Sequence, residues 1–195
     1  QTFRAAWLQA HPNGEVIHRD LGREPVPPPP EDAIIAGFIP AVDRTAEQVA
    51  AFEPRERLIR EFLDADAYLF TVPMYNWSIP ALFKAWLDQI LLVGDTVNLD
   101  GLSPVAGRPA TAILSFGGGY GPGTPKESWN FLEPYLRRVL GEALGLDLAV
   151  IKAELTMAER IPALAELVPT AKRQRAEAHL AAQARARAVA AHLAA

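Results

Sequence analysis

The sequence predicts an α/β fold in which a doubly wound parallel sheet is covered by helices on both faces. Short apolar runs without helical spacing are typical of strands that are buried on both faces. Helical patterns separate these runs, as right-handed βαβ crossovers require. A length of 195 residues, with 50% hydrophobic and 22% charged residues, suits one globular domain, which we assign to residues 1–195.

The chain is predicted to begin with a helix and a short strand. Apolar residues recur at helical spacing over 3–10, and the breakers at 11–14 end that helix. Residues 15–21 alternate between two faces, which predicts a short strand near a sheet edge. The prolines within 25–30 predict an extended arm, which either connects elements at the surface or packs on a partner subunit.

Two helices are predicted next. Residues 31–39 suit a short helix. A longer helix begins after Thr45, whose hydroxyl forms a capping box with Gln48. Pro54 is expected to kink or divide this helix, and the apolar residues within 58–63 form its core-facing stripe.

Strands and helices alternate in the rest of the chain. Continuous apolar runs predict buried strands at 67–72, 108–116 and 146–151. Helical patterns predict a helix from Ser78–Pro80 to Gly94, one capped by Thr124–Pro125 with Phe131 inward and Gly145 at its end, and one from Pro169 to the end. A different α/β fold of similar length is the alternative to the doubly wound sheet.

The composition excludes several classes of site. The chain has no cysteine, so disulfides, thiolate nucleophiles and Cys-ligated metals are excluded, and a reducing cytoplasm is the expected compartment. A net charge of -4 argues against nucleic-acid binding. No apolar run reaches the roughly 18 residues of a membrane span. The four histidines lie outside the two loops described next, and we predict no metal site and no catalytic side chain.

Two strand ends carry unusual sequence. Residues 73–80 place an aromatic pair and an amide between two prolines, and residues 115–121 are rich in glycine. Ligands of open α/β sheets bind outside the carboxyl ends of the strands, where both loops are expected. Aromatic faces and free backbone amides suit a flat, amphipathic ligand. Alone, the aromatic segment is equally compatible with a turn that packs the helix against the sheet, and the glycine loop is compatible with a flexible tip, so the pair is more informative than either one.

These loops resemble FMN-dependent NADH-azoreductases and NAD(P)H:quinone oxidoreductases, which have a flavodoxin-like fold. Pro73-Met74-Tyr75-Asn76-Trp77 is similar to the segment that wraps the isoalloxazine ring in that family, and Ser115 to Gly118 is similar to its Ser-x-Gly-Gly loop. Residues 134–136, 140–141, 145 and 153–154 also agree with the family pattern. The resemblance covers most of residues 15–160.

The resemblance implies an enzyme that passes hydride from NADH or NADPH through FMN to quinones or azo compounds. It also implies a homodimer with its sites at the subunit interface. Tyr120 is a candidate for stacking on the substrate. The implied flavin-contacting residues are Met74, Tyr75, Asn76, Trp77, Ser115, Phe116, Gly117 and Gly118.

Two features depart from the family pattern. Phe116 stands where a basic residue is frequent, which affects contacts to the polar edge of the flavin. The family begins with a strand and a Ser-rich phosphate loop that have no counterpart in this sequence, and because that strand lies inside the sheet in the order 2-1-3-4-5, we predict about 20 further residues upstream of Gln1. If those residues are absent, we expect weak or no FMN binding. A flavodoxin-like electron carrier and a flavin-free interaction module are therefore the alternative functions.

Overall fold

A three-stranded parallel sheet forms the centre of the protein. The computed structural model describes residues 1–98 and 102–194. Strands β1 (Tyr68–Pro73), β2 (Pro109–Ser115) and β3 (Asp147–Ala153) are adjacent in sequence order. The register pairs Val72 with Leu114, and Leu114 with Lys152. The predicted parallel α/β architecture is confirmed, and the carboxyl ends of all three strands lie at one edge of the sheet.

Helices cover both faces of this sheet. On one face, Phe70 and Val72 of β1 pack with Phe83 and Trp86 in the main core cluster. On the other face, Ile151 packs in a second cluster formed with the first and last helices of the chain. The helices are α1 (Thr2–Ala10), α2 (Glu31–Ala36), α3 (Ala46–Asp64), α4 (Ala81–Ile90), α5 (Leu132–Leu136), which continues as the π-helical segment Arg137–Ala143, and α6 (Val168–Leu193).

Local capping signals are confirmed at two helices. Thr45 and Gln48 form the reciprocal capping box, with Thr45 N donating to Gln48 Oε1 at 3.0 Å and Gln48 N donating to Thr45 Oγ1 at 3.3 Å. Pro54 lies inside α3 without dividing it. Gly145 ends the π-helical segment with φ of +66°, a conformation that glycine adopts at little cost.

The strand predicted at Glu15–Leu21 is wrong. Within the described part of the chain, residues 15–20 join no β-ladder. Arg19 instead forms a bidentate pair with Glu61 on α3, at 2.9 and 2.6 Å, and Asp20 begins a turn. Alternation describes side chains only, whereas a strand also needs a neighbour that accepts its backbone hydrogen bonds.

Two helix boundaries also differ from the prediction. Thr124 does not cap a helix, because its hydroxyl donates to Gly121 O within a turn. Helix α5 begins at Leu132, where Asn130 Oδ1 accepts from the amide of Glu133, and Phe131 is 61% exposed rather than inward.

The other boundary is the end of α4. This helix ends at Ile90, four residues before Gly94, and Thr96 Oγ1 donates to Ile90 O at 2.6 Å. The buried Arg55 also donates to carbonyls at this end. Side chains from outside the helix therefore end it earlier than its own sequence indicates.

The last helix agrees with the prediction, although Ala195 lies outside the described residues. Among residues 1–98 and 102–194, no helix combines the length and apolar character needed to cross a membrane.

Candidate functional site

The two loops predicted to form a site lie side by side. Pro73 and Ser115 are register partners at the ends of β1 and β2. The pairing continues one residue further, because Met74 N donates to Ser115 O at 2.8 Å. Residues 74–78, which we call the aromatic loop, and residues 115–121, the glycine loop, therefore leave the same edge of the sheet from neighbouring strands.

The aromatic loop is a tight turn that presents its side chains to solvent. Tyr75 N donates to Ser78 O at 3.0 Å, and Ser78 N donates to Tyr75 O at 3.1 Å. The two central residues, Asn76 and Trp77, have φ of +47° and +69°. Tyr75 is 61% exposed and Trp77 is 44% exposed. The loop thus offers aromatic faces and, at Asn76, an exposed side-chain amide.

The glycine loop is hydrogen-bonded to residues 153–157, which form the end of β3 and the segment that follows it. Its carbonyl groups face that segment, whereas the amides of Gly117 and Gly118 donate to no acceptor among the described residues. Free successive amides are suitable donors for the polar edge of a ligand. The bonds that hold the loop, donor first, are Phe116 N to Ala153 O (2.9 Å), Thr156 N to Phe116 O (3.0 Å), Met157 N to Gly117 O (3.2 Å) and Leu155 N to Gly118 O (3.1 Å).

Phe116 occupies a different environment from the other predicted contact residues. Its side chain is fully buried in the main core cluster. Its backbone N–H donates to Ala153, and its carbonyl accepts from both the amide and the hydroxyl of Thr156. Phe116 therefore supports the glycine loop from beneath and has no unpaired backbone group for a ligand.

Tyr120 is half-buried at the end of the glycine loop. Its ring lies 6.0 Å from that of Phe116, and its Cε2 would be 3.5 Å from a Cβ added to Gly118. Its amide donates to Glu154 Oε2 at 3.3 Å. The structure thus brings Tyr120 to the same loop as the predicted flavin-contacting residues.

Sequence reasoning missed the role of Glu154. A Cβ on Gly121 would approach Glu154 Oε1 to 3.2 Å, so this carboxylate occupies the space that a larger residue would need. Its Oε1 atom is buried and has no hydrogen-bond partner among the described residues. The only sequence signal was the agreement of residues 153–154 with the family pattern, which did not show where the carboxylate would lie.

A charged cluster connects α5 to β3 beside the site. Glu133 pairs with Arg137 at 2.8 Å and with Lys152 at 3.1 Å. Burial raises the pKa of Glu133, but the hydrogen bonds from Arg137 and Lys152 outweigh it and hold the pKa below its ordinary value. Within the described ranges, no three His, Asp or Glu residues are grouped as a metal site would require.

Comparisons with known proteins agree with this geometry. Residues 1–188 match the family model described as having a flavodoxin-like fold. The FMN-dependent NADH:quinone oxidoreductase of Streptomyces avermitilis is 50% identical over 187 residues, which cover 96% of this chain and 86% of the relative. The enzyme of the same name from Streptomyces coelicolor is 47% identical and covers 91% and 80%.

A solved structure shows the same fold. The azoreductase from Bacillus anthracis str. Sterne superimposes with a TM-score of 0.79 at 23% identity, over 95% of this chain and 88% of the azoreductase. The family match covers nearly the whole chain, and the relatives are far more than 30% identical. The chain therefore belongs to the flavodoxin-like family that includes the FMN-dependent NADH:quinone oxidoreductases.

Proposed function

We propose that this protein is an FMN-dependent oxidoreductase that passes hydride from NADH through the flavin to quinones or azo compounds. The names of the two Streptomyces relatives support this reaction, cofactor and donor. The observation that carries the proposal is the bond between Met74 N and Ser115 O, because it joins the two loops into one continuous surface. A flat ring needs such a surface, with aromatic side chains on one part and amide donors on the other.

The described residues fit an isoalloxazine ring. The Gly117 and Gly118 amides donate to no acceptor within residues 1–98 and 102–194, and the Asn76 side chain is exposed. Phe116 supports the surface from below. We propose that the ring is contacted by Met74, Tyr75, Asn76, Trp77, Ser115, Gly117 and Gly118, with Phe116 beneath them.

The protein's part in the reaction is to bind and orient the reactants. When bound, FMN supplies the hydride chemistry itself. The amides of Gly117 and Gly118 are donors that would stabilise negative charge at the polar edge of the ring. Asn76 would fix the position of the ring, and the exposed aromatic residues would exclude water from one face. Tyr120 is the residue that we assign to stacking on the acceptor.

We also propose the oligomeric state, compartment, strand order and domain extent that the family resemblance implies. The protein would be a cytoplasmic homodimer, and large exposed apolar side chains, among them Ile34, Ile35, Phe38 and Val42, suit a surface that a partner covers. In the order 2-1-3-4-5, β1 to β3 are the last three strands, and the outer edge of β1 would accept another parallel strand. Residues 1–195 would form one domain.

Spectroscopy and turnover test the proposal together. We would titrate FMN into the purified protein and record flavin absorbance. NADH oxidation would then be measured with a naphthoquinone and with an azo dye. We expect saturable FMN binding by the purified protein and turnover of at least one acceptor. A purified protein that binds no FMN, or that binds FMN and turns over neither acceptor, would contradict the proposal.

A further inference from the structure

The aromatic loop has a strained backbone at a position where glycine is preferred. Positive φ at both central residues is the geometry of a type I′ turn, for which Asn-Gly is the usual pair. Here Asn76 is followed by Trp77, whose φ is +69°. A bulky residue in this region costs roughly 1 kcal/mol or more and persists only where the surroundings enforce it. An element outside the turn must therefore hold Trp77 in place.

That element is the segment that leaves the glycine loop. After Gly121 the chain crosses to the aromatic loop, where Phe131 N donates to Trp77 O at 3.0 Å. The indole of Trp129 meets that of Trp77 edge-to-face, with ring centroids 5.2 Å apart and an interplanar angle of 81°. Segment 121–131 thus contacts both the backbone and the side chain of Trp77 and bridges the two loops of the site.

The tryptophan pair is not part of the core. Trp77 is 44% exposed and Trp129 is 45% exposed, whereas Trp86 is buried in the main cluster. A pair needed only for packing would be expected to bury more of its surface, because burial is the source of most stabilisation by aromatic side chains. The pair instead leaves indole surface exposed at the aromatic loop, where a ligand can contact it.

We propose that Trp129 is a positioning residue that acts through Trp77. It fixes the Trp77 indole, so that the two rings form a preorganised wall for a flat, multi-ring electron acceptor. This inference rests on the proposed function, and it adds a residue and a selectivity for acceptor size. Because a wall preorganised before binding reduces the ordering cost of the complex, removing Trp129 would weaken acceptor binding rather than the chemical step.

Circular dichroism tests the pairing without any cofactor. Two indoles at this distance and angle give an exciton-coupled signal in the far ultraviolet. We expect Trp129→Ala and Trp129→Phe to lose this signal, and Phe131→Ala to keep it. Phe131 is the matched control because it is an exposed aromatic residue of the same segment and bonds to Trp77 through its backbone only. A signal unchanged in Trp129→Ala would overturn the proposal.

Kinetics test the wall. With a two-ring naphthoquinone, we expect Trp129→Ala to raise KM roughly 3- to 10-fold, the range of one edge-to-face aromatic contact, with kcat within about twofold. Trp129→Phe should recover part of the loss, and benzoquinone should show a smaller effect. An unchanged KM, an equal effect on both quinones, or a fall in kcat accompanied by a lower Tm would refute this role. Failure of the wild-type protein to turn over quinones would instead refute both the proposed function and the role of the wall. The dichroism signal would still show whether the two indoles are paired.

Discussion

Replacing Arg55 with methionine is predicted to destabilise the protein markedly. Arg55 is buried, and burial lowers the pKa of its guanidinium from its ordinary value, although Asp95 and Asp88 oppose this shift. Its Nε donates to Gln89 O at 2.8 Å, and its Nη2 donates to Leu91 O at 2.9 Å. These carbonyls belong to the end of α4, where helical acceptors lack partners within the helix.

The magnitude follows from these bonds. A hydrogen bond from a charged donor contributes about 1.5 kcal/mol or more, so losing the two short bonds costs about 3 kcal/mol. Methionine preserves most of the apolar stem, and removal of a buried charge offsets a small part of the loss. We therefore expect the Arg55→Met variant to have a free energy of unfolding about 2–3 kcal/mol below that of the wild type.

Urea denaturation would measure this difference, with Arg57→Met as the control. Arg57 is an exposed residue of the same helix that pairs with Glu53 at 3.3 Å, so its loss should cost less than about 0.5 kcal/mol. If Arg55→Met and Arg57→Met have equal stability within about 0.5 kcal/mol at an unchanged m-value, the assigned role of Arg55 in capping α4 is refuted.

Three further predictions concern pH, backbone conformation and the ligand. Because the folded pKa of Glu133 is lowered, its stabilisation is present above the unfolded pKa of about 4.3 and is lost as the pH falls through the folded value. Glu133→Gln should therefore be less stable than wild type at pH 7, and urea titrations should show the difference vanish in acid; a constant difference would contradict this. Gly145→Ala should lower the free energy of unfolding by roughly 2 kcal/mol, because alanine is strained at this positive φ and its Cβ would lie 3.0 Å from Ala106 Cβ. Gly123→Ala, with positive φ but open space, should lose less, and equal losses would argue against the contact. Asn76→Gly keeps the turn but removes an exposed side-chain amide, so Tm should not fall while FMN binding weakens about tenfold in a fluorescence titration; unchanged affinity would exclude this amide as a contact.

The features that the sequence predicted correctly depend on local rules. The capping box of Thr45 and Gln48 is satisfied within four residues, so no distant part of the chain needed to be known. The positions of the two site loops follow from a general property of parallel sheets, because consecutive buried strands bring their carboxyl ends to one edge. The bond between Met74 and Ser115 is the direct consequence of that rule.

The features that the sequence did not predict depend on distant partners. Residues 15–21 alternate like a strand, but no neighbour in the described part of the chain pairs with them. Thr124 is a residue type that commonly caps helices, yet its hydroxyl donates to Gly121 O within a turn. Glu154 contacts the glycine loop, and Trp129 contacts the aromatic loop, in each case across a long separation in sequence that no local pattern encodes.

The central claim is that the aromatic loop and the glycine loop jointly bind the flavin ring. The chain has four tryptophans, and their indole N–H resonances can be followed by NMR in protein labelled with ¹⁵N-tryptophan. Trp77 and Trp129 lie at the site, whereas Trp86 is in the core and Trp7 packs with the cluster on the other face. Adding FMN should shift the Trp77 resonance, and that of Trp129 with it, while Trp7 and Trp86 stay unchanged. A shift of Trp7 with none at Trp77 would contradict the claim.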